Sequence, residues 1–114
     1  PQIRNMYWRD FPEDAHLPEF WKRRPVIVVS RERHLHGAVT VIPCSTSPQP
    51  NNKWAVQLTT SIDGRDSWAI CDKPCTVAVS RLLPHSGVVP RLPQEEFVAV
   101  LGKLLAWLPA LPNS

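Results

Sequence analysis

The chain has 114 residues, the size of one domain, and a domain of that size buries roughly two thirds of the surface its unfolded chain exposes. A hydrophobic fraction of 43% supplies one core, and a charged fraction of 20% excludes an intrinsically disordered chain. Thirteen Lys and Arg against ten Asp and Glu leave a net charge of +3, which permits an anionic partner without demanding one.

Three cysteines are present, and no CxxC pair. Cys71 and Cys75 stand four apart and Cys44 is distant, so the spacing is not that of a tetrahedral zinc site. They read as reduced thiols of a cytosolic protein. No apolar run reaches the roughly 18 residues of a membrane span, and no signal peptide opens the sequence. A cytoplasmic protein of a single domain, residues 1–114, is expected.

Thirteen prolines fall mostly between apolar runs and cut the chain into short pieces, which favours a small β-rich barrel over a helical bundle. Residues 3–11, with Met6, Tyr7, Trp8 and Phe11, predict the first strand. Residues 12–24 read as a long polar and aromatic loop, a length that often marks a lid or binding loop. The β-branched run 25–30 predicts a strand buried on both faces, and residues 38–43 another. A Ser-, Pro- and Asn-rich loop covers 45–53, and the alternation of Trp54, Val56 and Leu58 predicts a half-buried strand over 54–60. Asp63-Gly64 marks a turn, followed by short strands at 67–71 and 76–80.

The end of the chain differs. Pro93 at the first helical position, with Glu95 and Glu96 in the first turn, suits a helix dipole. Phe97, Val100, Leu101, Leu104 and Leu108 recur at spacings of three and four, so a helix is expected over 93–108 with one apolar face.

Three segments together resemble the MazF/PemK toxin family. They are Arg24-Pro25 with the β-branched run to Ser30, Pro43-Cys44-Ser45-Thr46-Ser47 at the end of the next strand, and Cys71-Asp72-Lys73-Pro74-Cys75-Thr76-Val77. Their order and strand context carry the resemblance over nearly the whole chain. It implies a mainly β (α+β) fold, a small SH3-like β-barrel with a C-terminal helix, assembled as a homodimer. It also implies a toxin that cleaves single-stranded RNA without metal or other cofactor, leaving 2′,3′-cyclic phosphate and 5′-OH ends, and that an antitoxin protein neutralises. The sequence departs from the family pattern at Ile70, where PemK-type toxins can carry an arginine, so a step that depends on arginine there is excluded.

In such a reaction the 2′-OH attacks the adjacent phosphorus, and the protein aligns the attack and stabilises the extra charge. Arg24, fixed before Pro25 at a strand start, is expected to donate its planar fork to the phosphate; otherwise it belongs to a solvated basic cluster with Lys22 and Arg23. Ser45 is expected to donate to a non-bridging oxygen, against a plain turn role. Asp72 is a base toward the 2′-OH, a group orienting Arg24, or the start of a turn. His16 is an acid or base near neutrality, or a solvated loop residue. Neighbouring motif residues Arg23, Thr46, Ser47, Lys73 and Thr76 are expected to hold RNA, and Trp21 beside the basic cluster to stack a base. Trp54 and Trp107 read as core or dimer-interface residues, and His34, His36 and His85 as surface residues.

Two other readings share the barrel. A toxin of the CcdB type acts by protein binding through its C-terminal residues, and an inactive SH3-like module has no need of Arg24 or Ser45.

Overall fold

The computed structural model describes residues 2–12, 21–31, 37–84 and 89–109. Among them the apolar segments form six strands: β1 (Met6–Pro12), β2 (Trp21–Val28), β3 (Ala38–Ser45), β4 (Ala55–Leu58), β5 (Ser67–Ile70) and β6 (Cys75–Ala78). A single 3-10 turn, Val79–Arg81, follows β6, and one helix, α1 (Gln94–Trp107), comes last. All strand pairs are antiparallel, in the order β1-β2-β3-β5-β4, with β6 also on β3.

β3 organises the sheet. One of its edges takes β2; the other takes β6 along its first half and β5 at its end. The register shows a break between those two partners. Val41 pairs Cys75 and Cys44 pairs Ala69, so the two residues of β3 between those pairs stand against five, 70–74, of the other chain segment. The surplus is thrown out as a turn at 71–74, a bulge that bends the sheet and re-aims side chains.

The period of two along β2 and β3 sorts the core into two layers. Met6, Ile27, Ile42, Cys44, Ala69 and Leu58 form one, covered by Phe97 and Val100 of α1. Val26, Val28, Val39, Val41, Val77 and Leu82 form the other. Both faces of β2 are thus buried over Val26, Ile27 and Val28, as the β-branched run predicts.

The sheet curls but the ladder does not close. Across the gap, Trp8 exchanges two backbone hydrogen bonds with Leu83, at 2.8 and 2.9 Å, and Asn5 bridges Arg91. The expected barrel is therefore a curled sheet stitched at two single bridges, with the expected helix against it.

Several boundaries differ from the sequence expectation. β2 begins at Trp21 rather than residue 25, because residues 21–24 pair with the end of β1 down to Pro12–Trp21. Lys22, Arg23 and Arg24 carry no apolar alternation, which hid this strand end in the sequence. β3 runs on to Ser45, and β4 covers only Ala55–Leu58. β6 ends at Ala78, and the chain then winds into the 3-10 turn instead of continuing to residue 80. Pro93 caps α1 rather than entering it, and Leu108 is the C-cap, 42% exposed and outside the apolar stripe.

Glu96 anchors the start of α1. Its carboxylate accepts hydrogen bonds from the Thr59 amide at 3.0 Å, the Thr60 amide at 3.4 Å and the Thr59 hydroxyl. Among the described residues no helix is long and apolar enough to cross a membrane.

Candidate functional site

The register that builds the valine layer also builds a polar groove at its end. Val26 faces Pro43 across the β2–β3 ladder. Two residues further along each strand stand Arg24 and Ser45, on the same face by the period of two. The 71–74 turn brings Lys73 to the same place. The result is a groove of about 590 Å³ lined by Arg24, Ser45, Ser47 and Lys73, with Gln49 and Asn52 from the loop after β3. Cys44, Cys75, Pro43 and Ile70 supply its apolar surface. Among the described residues that line it, two are cations and none is a carboxylate.

Ser45 is 8% exposed, and its hydroxyl organises the loop. It accepts the Ser47 amide at 3.1 Å and the Gln49 side-chain amide at 3.5 Å, and its own proton points to the Ser47 carbonyl at 3.4 Å. That last contact is long for a hydroxyl donor, so turning the proton to an anion in the groove costs little. Ser45 thus holds a turn and still has a donor to offer. Asn52 extends the chain of amides: it donates to Gln49 at 3.5 Å and accepts the Trp54 amide at 3.0 Å.

The sequence-derived candidates divide. Arg24, Ser45, Ser47 and Lys73 meet in one groove. Thr46, half-buried, does not line it. Arg23 is exposed and pairs with Asp10, its cross-strand neighbour, at 3.0 Å. Thr76 lies on β6 opposite Thr40, with its hydroxyl 3.2 Å from that of Thr40, and lines a different groove. Asp72 is half-buried, with one carboxylate oxygen enclosed and without a hydrogen-bond partner among the described residues. No ion pair joins it to Arg24 there, and its charge acts instead on the Cys71 thiol. His16, the Trp21 side chain, His34, His36 and His85 lie outside the described residues. Trp54 is half-buried with the Lys53 ammonium 4.9 Å from its ring centroid, and Trp107 is 39% exposed.

Gln49 and Asn52 were not singled out by sequence. A pair of amides in the loop after the Pro-Cys-Ser-Thr segment was the available signal, since amides read base edges.

The surroundings of the thiols near the groove favour their protonated form. Burial, and then the neighbouring Cys71, push Cys44 far up. Burial and then Asp72 raise Cys71 to about 11, against a small opposing pull from Lys103. Burial raises Cys75, with Arg9 opposing. All three stay protonated near neutrality. Among the described residues no three His, Cys, Asp or Glu side chains converge as a metal set.

Comparison with known proteins places this geometry. No curated protein sequence matches the chain. Among solved structures, MazF from Deinococcus radiodurans superposes with a TM-score of 0.70 at 22% identity, covering 93% of this chain and 94% of that one. MazE-MazF from the same organism gives 0.69 at 20% identity, covering 93% and 94%. An endoribonuclease in complex with its cognate antitoxin from a mycobacterial species gives 0.70 at 16% identity, covering 97% and 99%. At these identities the likeness is one of fold. The family model of the PemK-like, MazF-like toxin of type II toxin-antitoxin systems matches residues 4–108. That span takes in every described strand and the helix, and the chain belongs to the PemK/MazF toxin family.

Proposed function

We propose that this toxin is an endoribonuclease that cuts single-stranded RNA in the Arg24 groove without a metal ion. One observation carries the reading: Arg24, Ser45 and Lys73, drawn from two strands and a bulge, line a single groove with no carboxylate among its described lining residues. Such a groove attracts a phosphodiester and stabilises the added charge of its transition state.

The RNA supplies the nucleophile. The 2′-OH attacks phosphorus, the bond to the 5′ oxygen breaks, and the products carry a 2′,3′-cyclic phosphate and a 5′-OH. Arg24 donates its fork to the non-bridging oxygens, Ser45 turns its proton toward one of them, and Lys73 adds a point charge. Gln49 and Asn52 present amides that can read base edges near the cut. Asp72 and His16 remain the proposed proton carriers; for Asp72 this requires the enclosed carboxylate to turn toward the groove. The protein acts in the cytoplasm as a homodimer, and an antitoxin silences it by occupying the same cationic groove.

The test is single-turnover cleavage of a defined RNA. Arg24→Ala should slow it by about a thousandfold, the scale of losing an arginine that stabilises a transferring phosphate. Arg24→Lys should recover only part of this, because an ammonium lacks the fork. Near wild-type cleavage by a folded Arg24→Ala protein moves the site elsewhere and returns the reading to a toxin that acts by binding protein.

A further inference from the structure

The loop after β3 carries a chain of hydrogen bonds with a fixed direction. It starts at the Trp54 backbone amide, a group that can only donate, which gives its proton to Asn52 Oδ1 at 3.0 Å. That contact decides which way the Asn52 amide faces, and its Nδ2 donates onward to Gln49 Oε1 at 3.5 Å. The Gln49 amide is oriented in turn. Its Nε2 donates to the Ser47 carbonyl at 3.3 Å and to Ser45 Oγ at 3.5 Å. Two backbone bonds hold the turns that carry these side chains: the Asn52 amide donates to the Gln49 carbonyl at 3.3 Å, and the Ala55 amide to the Asn52 carbonyl at 3.2 Å.

The chain ends at Ser45. A hydroxyl has two lone pairs and one proton. Both lone pairs of Ser45 are taken, one by the Ser47 amide at 3.1 Å and one by Gln49. The hydroxyl can therefore act only as a donor to anything else. The Ser47 carbonyl, 3.4 Å from Ser45 Oγ, already accepts from Gln49 at 3.3 Å. A phosphate oxygen in the groove carries charge and is the stronger acceptor for the Ser45 proton. Each link polarises the next in the same sense.

We infer that Gln49 is a positioning residue for cleavage: its amide aims the Ser45 proton at a non-bridging oxygen of the phosphodiester that is cut. This rests on the endoribonuclease reading of the Arg24 groove. Gln49 acts through Ser45, so its effect on the reaction vanishes when Ser45 has no hydroxyl.

The experiment uses the full chain. Total RNA is digested with the wild type to map a cut site, and a defined RNA carrying that site is then cleaved in single turnover at saturating protein. Wild type, Gln49→Ala, Ser45→Ala and the double variant are compared, with folding checked by circular dichroism. Gln49→Ala should slow the step about tenfold, part of the hundredfold that a lost donor costs, because the hydroxyl is present but no longer aimed. In the Ser45→Ala chain the same substitution should change the rate by no more than about twofold. Gln49→Glu keeps the shape and is the second variant. Its carboxylate only accepts and draws the Ser45 proton away from the RNA, so it should be slower than Gln49→Ala. The loss from Gln49→Glu should be larger with Ser45 present than in the Ser45→Ala chain, a comparison that cancels the effect of the added charge. Wild-type cleavage that Gln49→Ala leaves unslowed, or slows by the same factor in the Ser45→Ala chain, overturns the positioning role and leaves the Arg24 reading intact. A wild type that leaves total RNA uncut removes both.

Discussion

Arg24 and Ser45 come together through strand register, and their effects should be coupled for that reason. If both donate to one phosphate they act as a unit, and the double variant should be little slower than Arg24→Ala alone. Ser45→Ala should cost on the order of a hundredfold in single-turnover rate, the value of one aimed donor. It should also cost about 1 kcal/mol of stability, because the Ser47 amide loses its acceptor. Ser45→Thr keeps the hydroxyl and should retain most of the rate. Purely additive rate losses would mean that the two residues serve different steps. The thiols give a separate residue-scale prediction. Cys71 titrates near 11 instead of 9.0, so the native fold favours its protonated form. That contribution is fully present below pH 9.0 and is lost as pH rises through about 11. Denaturation midpoints followed upward from pH 9 should fall, and Cys71→Ala should flatten the fall; an unchanged slope would contradict the assignment. Arg24 and Ser45 were legible in sequence because each sits in a short motif. Gln49 and Asn52 were not, because side-chain hydrogen bonds within the loop after β3, and no motif, put them in the groove.

At the scale of elements, the helix is tied to the sheet at one end by Glu96. Three donors from Thr59 and Thr60 converge on one carboxylate. Glu96→Ala should destabilise the fold by about 1–2 kcal/mol, within the range for hydrogen bonds to a charged group reduced for partial exposure. A chemical denaturation midpoint lowered without a change in m-value would show it, and an unaltered midpoint would mean that the apolar stripe alone docks α1. The stripe itself was readable, since Phe97 and Val100 recur at helical spacing and are buried. β2 and β3 were readable through their β-branched runs. The start of β2 was not: Lys22, Arg23 and Arg24 carry no apolar period, and only the partner strand β1 makes them extended. The bulge at 71–74 was equally hidden, because Asp72-Lys73-Pro74 reads as an ordinary turn. Its consequence, Lys73 delivered to the groove while Asp72 is not, follows from the three-residue mismatch in register.

At the scale of the molecule, α1 carries large apolar side chains that the core does not cover. Val98 is 59% exposed and Leu105 66%, and they lie off the stripe that meets the core. A homodimer that covers some of these side chains should scatter light as two chains at micromolar concentration, and Leu105→Glu should shift it toward monomer; a wild-type monomer would contradict the assembly. The charge arrangement makes a larger claim. The groove places the positive charge needed for phosphodiester cleavage in the protein itself, through Arg24 and Lys73, so the reaction should need no added cation. Purified protein should be incubated with single-stranded RNA in excess chelator, and the ends of the fragments mapped. Cleavage at full rate with 2′,3′-cyclic phosphate and 5′-OH ends is the predicted result; strict dependence on magnesium, or fragments that carry 5′-phosphates, would contradict it.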